Sequence, residues 1–226
     1  MLAVLLAVVL LWLRPGTNTT SPDLPEEPVA PSASAGADLT VNAATGEVDE
    51  DAKDQGAAVV DLGDCDPLDV NGFIPTRYQM SNPQADEAVL SLGVDSDGAI
   101  AAPPKSEPRT ASWWNQGPRP GSEAGKPVLS IHTYRNGGAL GNEMYDGTPL
   151  MEAGDIIRLT DDEGRSACYE FVKADKIFMS DYDPDSDVMI DYDGDPLLTI
   201  VICWDFNSST EDWDSRVFFY AQPIEA

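Results

Sequence analysis

From about residue 73 the chain breaks into short runs in which apolar positions alternate with polar ones or stand together, with Gly, Pro, Asn and Asp between the runs. "TRYQM", "AVLSLGV", "PVLSIHTY", "DIIRLTD", "CYEFVKADKIFM", "LLTIVIC" and "RVFFYAQ" are rich in β-branched and aromatic residues, the pattern of half-buried or fully buried strands. Seven or eight such strands with few helical patterns predict a mostly β domain, a barrel or a sandwich, over 73–226. Only "GNEMYDGTPLMEAGD" has the form of a short helix, and no internal repeat is present.

Ahead of that domain the pattern is lost. Residues 14–72 are rich in Pro, Ala, Ser, Thr, Gly and acid, as in "SPDLPEEPVAPSASAGADL", and such a segment buries too little apolar surface to offset its ordering entropy. It reads as a disordered acidic linker; "NTT" at Asn18 has the form of a glycosylation acceptor. Residues 1–13, "MLAVLLAVVLLWL", are wholly apolar. As a helix they reach about 20 Å against a hydrocarbon layer of about 30 Å, which fits a signal segment or a truncated membrane anchor. The expectation is a single-pass membrane protein whose folded domain lies outside the cytoplasm.

Charge narrows the partners. Forty acidic residues against thirteen basic ones give a net charge of -27, which argues against nucleic acid and against an electrostatic hold on anionic lipid. The three cysteines, Cys65, Cys168 and Cys203, allow one pair and one free thiol or three free thiols. A Cys65–Cys168 pair leaves Cys203 alone.

His132 is the only histidine, and HExxH, CxxC, GxSxG, P-loop and GxGxxG patterns are all absent. That leaves His132 closing "PVLSIH", Cys203 closing "LLTIVIC" and Arg216 opening "RVFFYAQ", each at the end of a predicted strand, where a sheet presents side chains to a shared cleft. Each also has a plainer explanation: a cysteine buried as a small hydrophobe, a packed histidine, an arginine paired with Asp212 or Asp214.

Taken in order, these pieces resemble a known family. "SLGVDSDGAIAAPP", "WWNQGPRPGSEAGKPVLSIH", "LMEAGDIIRLTDDEG", "LLTIVIC" and "SRVFFYA" are similar, in register, to the conserved segments of the actinobacterial class F sortases, from about Pro75 to Ala221. The resemblance implies an eight-stranded β-barrel with Cys203 as nucleophile, His132 as general acid and base, and Arg216 as oxyanion or substrate clamp. It also implies Thr199, Ile202 and Trp204 as neighbours of the substrate. The expected substrate is a sorting-signal peptide of the Leu-Pro-x-Thr-Gly kind, passed through a thioester to a cell-wall precursor or other amine acceptor. A cation beside the cysteine is expected to lower its pKa. Two positions depart from the family's pattern: Ile202 stands where Thr is usual and Ile131 where Gly is usual, and Trp204 adds further bulk. These departures motivate a second reading, a sortase-like barrel that serves as a surface binding or scaffold module without turnover. An L,D-transpeptidase lacks its Ser-His-Gly-Cys cluster here, and papain-like peptidases place Cys before His.

The stretch "DYDPDSDVMIDYDGD" holds seven aspartates in fifteen residues. An EF-hand begun at Asp183 puts Val188 at the glycine position and Gly194 at the bidentate glutamate, so that motif fails. A solvated charge run is the main expectation, with Asp183, Asp185 and Asp187 as a weaker Ca²⁺ candidate; no other cofactor is expected.

Overall fold

The computed structural model describes residues 64–224; the apolar run 1–13 and the expected linker up to residue 63 lie outside the described residues. Eight strands and one short helix follow in the order β1 (Arg77–Met80), β2 (Ala85–Leu92), β3 (Ala111–Trp114), β4 (Val128–Ile131), α1 (Leu140–Met144), β5 (Ile156–Thr160), β6 (Ser166–Phe178), β7 (Leu198–Asn207) and β8 (Asp212–Pro223). They close a barrel in the order β1-β2-β3-β4-β7-β8-β6-β5. The β2/β3 and β4/β7 pairs are parallel and the others antiparallel.

The expected boundary at residue 73 moves toward the N-terminus. Cys65 is bonded to Cys168 on β6, Asp69 bridges to Ser122, and Ser166 N–H donates to the Asp66 carboxylate at 2.7 Å. This polar segment has no apolar periodicity because it is held by a covalent bond and by backbone partners rather than by burial.

β7 explains why its sequence is a continuous apolar run. Leu198, Ile200 and Ile202 belong to the main core with Val217, Phe219 and Ala221 of β8 and Tyr169 of β6. Val201 faces a second cluster with Trp114, Val128, Phe218 and Tyr220. A strand covered on both faces shows no alternation. β3, "ASWW", was not among the expected strands for the same reason: all four residues are buried.

The second cluster is roofed by the aspartate-rich β6–β7 loop. Tyr182, Val188, Met189 and Ile190 pack against it, so the charge run contains an apolar foot. Backbone bonds fasten that loop: Gly125 N–H donates to Gly194 O at 2.8 Å and Lys126 N–H to Asp191 O at 2.7 Å. The buried Lys126 ammonium donates to Asp187 O at 2.5 Å, and Tyr220 Oη donates to Val188 O at 2.8 Å. Burial pushes the Lys126 amine below its ordinary range, with Asp191 and Asp187 opposing. Gly125 is required: its φ is +85°, and a Cβ there would meet Tyr192 O at 2.6 Å.

Candidate active site

Strand register assembles the site. Cys203 on β7 lies directly opposite Arg216 on β8, which places their Cβ atoms about 4.5–5.5 Å apart. On the other side of β7, β4 runs parallel with Val128, Leu129 and Ser130 level with Thr199, Ile200 and Val201. The same register continued two residues sets His132 level with Cys203. Three residues distant in sequence thus share one rung across three adjacent strands.

The expectation that all three close or open a strand is corrected. His132 does follow the last residue of β4, but β7 runs on through Cys203 to Asn207 and β8 begins at Asp212. Cys203 and Arg216 sit inside a long hairpin, because "CWDFN" and "DWDSR" continue to pair after the buried run stops. What changes at Cys203 is burial: β7 is buried from Leu198 to Ile202 and half-buried from Cys203 onward.

Each of the three has a defined environment. The His132 ring bonds through Nε2 to Pro103 O at 2.7 Å. A carbonyl only accepts, so the proton is on Nε2, and Nδ1 is the position left for proton transfer in the neutral ring. The same β2–β3 loop receives the Tyr134 hydroxyl at Lys105 O, and the Tyr134 ring lies 5.7 Å from the imidazole. Arg216 Nη1 donates to the Trp213 and Ser215 carbonyls, 3.0 Å each. Among the described residues it forms no ion pair with Asp212 or Asp214, so the plainer reading of this arginine fails. A cavity of about 580 Å³ lined by Arg216, Asp212, Asp214, Phe178 and Met179 opens beside it.

Cys203 is the one free cysteine among the described residues. Burial pushes its thiol up from the ordinary value; the Arg216 charge pulls it down and Asp212 pushes it up. The expected thiolate-favouring surroundings are therefore present on the arginine side, but desolvation outweighs them.

The three residues expected near the substrate divide. Ile202 is 1% exposed and faces the main core, away from Cys203, because successive strand residues point to opposite faces. Ile131 is likewise a core residue at 2%. Thr199 is fully buried with its hydroxyl unpartnered, four residues back along β7 from Cys203. Neither Ile202 nor Thr199 reaches the site. Trp204 also packs against the main cluster, its half-buried ring 4.9 Å from that of Tyr145 in an edge-on contact, but it lines a cavity with Thr133 and Tyr134, the residues that follow His132. Asp183, Asp185 and Asp187 do not gather into a ligand set: Asp183 accepts Asp185 N–H at 3.0 Å, and no cluster of three potential metal ligands occurs among the described residues.

Two contributors escaped sequence reasoning. The Pro103 carbonyl is backbone and carries no residue-type signal. Asp205 has φ +57°, accepts Ser215 Oγ at 2.8 Å and pairs with Lys176 Nζ at 2.9 Å; its strained conformation cannot be read from "WDF".

A closed barrel that sets a cysteine, a histidine and an arginine on one rung is an arrangement able to carry cysteine acyl transfer. The chain belongs to the sortase family, a family of cysteine transpeptidases: residues 83–224, more than half its length, match the sortase domain. Its structure is similar to that of sortase A from Corynebacterium diphtheriae, at 14% identity over 69% of this chain and 62% of that one, with a TM-score of 0.45. It is similar to Listeria monocytogenes sortase A at 17% identity, over 66% and 86% of the two chains, with a TM-score of 0.46. Streptococcus agalactiae sortase C1 gives 14% identity over 70% and 73%, with a TM-score of 0.45. The chain thus spans less than two thirds of the Corynebacterium protein. No curated protein matches the sequence.

Proposed function

We propose that the protein is a sortase-type cysteine transpeptidase, of the class F kind, anchored at the membrane with its barrel outside the cytoplasm. In this reading it cleaves a Leu-Pro-x-Thr-Gly-like sorting signal and transfers the acyl fragment to an amine of a cell-wall precursor or other acceptor. The observation that carries it is the shared rung of His132, Cys203 and Arg216. Cys203 Sγ passes its proton to His132 Nδ1 and attacks the peptide carbonyl as a thiolate, and the developing oxyanion takes hydrogen bonds from the Arg216 guanidinium, whose Nη2 has no hydrogen-bond partner among the described residues. His132 protonates the departing amine and later takes a proton from the incoming one, as one group serving both directions of the same step. A substrate that expels water from beside Arg216 strengthens its pull on the thiolate, which offsets the desolvation that holds the thiol neutral.

Cleavage of a Leu-Pro-x-Thr-Gly peptide tests the reading. The parent protein is expected to cleave it and both C203A and H132A to lose cleavage while keeping the fold. Cleavage by C203A at the parental rate sinks the nucleophile assignment. Failure of the parent with every sorting peptide favours the scaffold reading, which the burial-raised Cys203 thiol also supports.

A further inference from the structure

A cavity of about 500 Å³ opens where β6 and β8 meet the β6–β7 loop. Lys126, just ahead of β4, Val172 and Lys173 of β6, and Tyr220 of β8 line it, together with Val188 and Leu197 of the loop. The successive residues Val172 and Lys173 share the cavity because β6 bulges there: Phe171 pairs with Ala221 and Lys173 with Tyr220, which leaves Val172 unpaired. The bulge sets an aliphatic side chain, 46% exposed, at the same cavity as two lysines. The cavity lies apart from the active rung. Lys173 is four residues along β6 from Ile177, which pairs with Arg216, about 13 Å at the rise of a strand.

Lys126 is unusual for a buried cation. The residue is 7% exposed, its ammonium makes one hydrogen bond, to Asp187 O at 2.5 Å, and among the described residues it forms no ion pair. An ammonium carries three donors, and lysine is rarely buried without a charged partner. A second ammonium stands close by: Lys126 Nζ and Lys173 Nζ lie 5.4 and 5.1 Å from the centroid of the same Tyr220 ring. Burial, and more weakly the Lys173 charge, push the Lys126 amine down, while Asp191 and Asp187 pull it up. Of the two carboxylates that line the cavity, Asp175 is already paired with Lys173 at 2.6 Å, and Asp187 meets Lys126 through its carbonyl. The group that fits the remaining donors is therefore an anion, and the walls beside it are aliphatic.

We propose that this cavity binds a small organic carboxylate with a short aliphatic chain, and that its occupancy steadies the β6–β7 loop. The carboxylate accepts from the free donors of Lys126, with Lys173 as the second cation, and the chain lies along Val172, Val188 and Leu197. The coupling to the loop follows from shared groups. Lys126 Nζ and Tyr220 Oη hold the carbonyls of Asp187 and Val188, and the Gly125 and Lys126 amides donate to Gly194 O and Asp191 O. An anion takes donors of the ammonium other than the one on Asp187 O, so it neutralises the buried charge and fixes Lys126 against the loop. The site stands whether or not the rung of His132, Cys203 and Arg216 turns over.

Hexanoate and hexanamide, alike in chain and different in charge, test the site in titrations that follow the methyl resonances of Val172, Val188 and Leu197. Hexanoate is expected to give saturable shifts with a Kd about 10-fold or more below that of hexanamide, and Lys126→Met to remove that preference. Lys173→Gln, a change at an exposed side chain, is expected to weaken hexanoate about 2- to 5-fold. With hexanoate bound, hydrogen exchange of the Gly125 and Lys126 amides, which donate to the loop, is expected to slow. No saturable shift with hexanoate, or equal Kd values for the two probes, would overturn the site, and so would an unchanged hexanoate Kd in Lys126→Met. Should Lys126→Met fail to fold, Lys173→Gln decides: a Kd equal to the parent's overturns the site. Amide exchange unmoved by saturating hexanoate overturns the coupling to the loop.

Discussion

Replacing Cys65 and Cys168 together by alanine removes the covalent tie that holds the segment before β1 to β6. The two residues are 103 positions apart. Closing a loop of that length costs the unfolded chain about 16 cal/mol/K in the chain-entropy description, or about 4.7 kcal/mol at 25 °C. Alanine is chosen because Cys168 is 3% exposed, and a serine there would add a buried hydroxyl. A domain of this size shifts by about 2–4 °C per kcal/mol, so the expected fall in Tm is about 10–20 °C. Urea unfolding at pH 7 measures the loss of stability: the midpoint should fall and the slope should rise, because the unfolded chain without the cross-link exposes more surface. The active rung should be unaffected at 25 °C. Cys168 lies nine residues along β6 from Ile177, which pairs with Arg216, a separation of about 30 Å at the rise of a strand. A loss below about 1 kcal/mol would refute the argument that the tie acts on the unfolded chain. Loss of thioester formation with the fold intact would refute the separation of tie and site.

Other perturbations test other parts of the account. Arg216→Gln should slow acylation by about 10²- to 10³-fold and move the pH profile of Cys203 alkylation upward, because the guanidinium is what pulls the thiol down; Asp212→Asn should move the profile downward. Iodoacetamide kinetics from pH 6 to 11 read both, and an unmoved profile in Arg216→Gln contradicts the assigned cause. Thr199→Val removes an orphan buried hydroxyl and should stabilise the barrel by about 1 kcal/mol, measured by urea unfolding; a destabilised variant would show that the hydroxyl has a partner. Tyr169 and Tyr220 are pushed up to about 12, by burial foremost, from an ordinary value of 10.0. Their raised pKa favours the neutral fold, so this contribution is complete below pH 10 and lost as pH rises through 12. Stability measured across that window should fall, and a flat profile would contradict the burial of these hydroxyls.

Much of the barrel is legible because its strands carry β-branched and aromatic runs between turn residues. "LLTIVIC" and "RVFFYAQ" announce β7 and β8, although neither shows where its strand ends. The hairpin outlasts the apolar run because pairing needs only backbone partners, and the half-buried "WDFN" and "DWDS" extensions keep them. β3 is hard to find because four buried residues show no period. Cys203, His132 and Arg216 are identifiable from residue type and order, and register explains how they meet. Ile202 misleads for a simple reason: adjacency in sequence to a strand residue means the opposite face. The aspartate run misleads through its composition, which hides the Val188–Ile190 foot and the Lys126 ammonium beneath it. The disulfide partner of Cys168 and the Pro103 contact to His132 depend on chain geometry that no local pattern encodes.

The proposed chemistry turns on an acyl intermediate formed at Cys203, on the rung it shares with His132 and Arg216. Intact-mass analysis after incubation with a Leu-Pro-x-Thr-Gly peptide, followed by mapping of the modified residue, measures this directly. The expected result is an adduct of the Leu-Pro-x-Thr fragment on Cys203, absent in C203A and reversed by added amine. A protein that stays unmodified while the peptide is cleaved, or an adduct on any other residue, would contradict it.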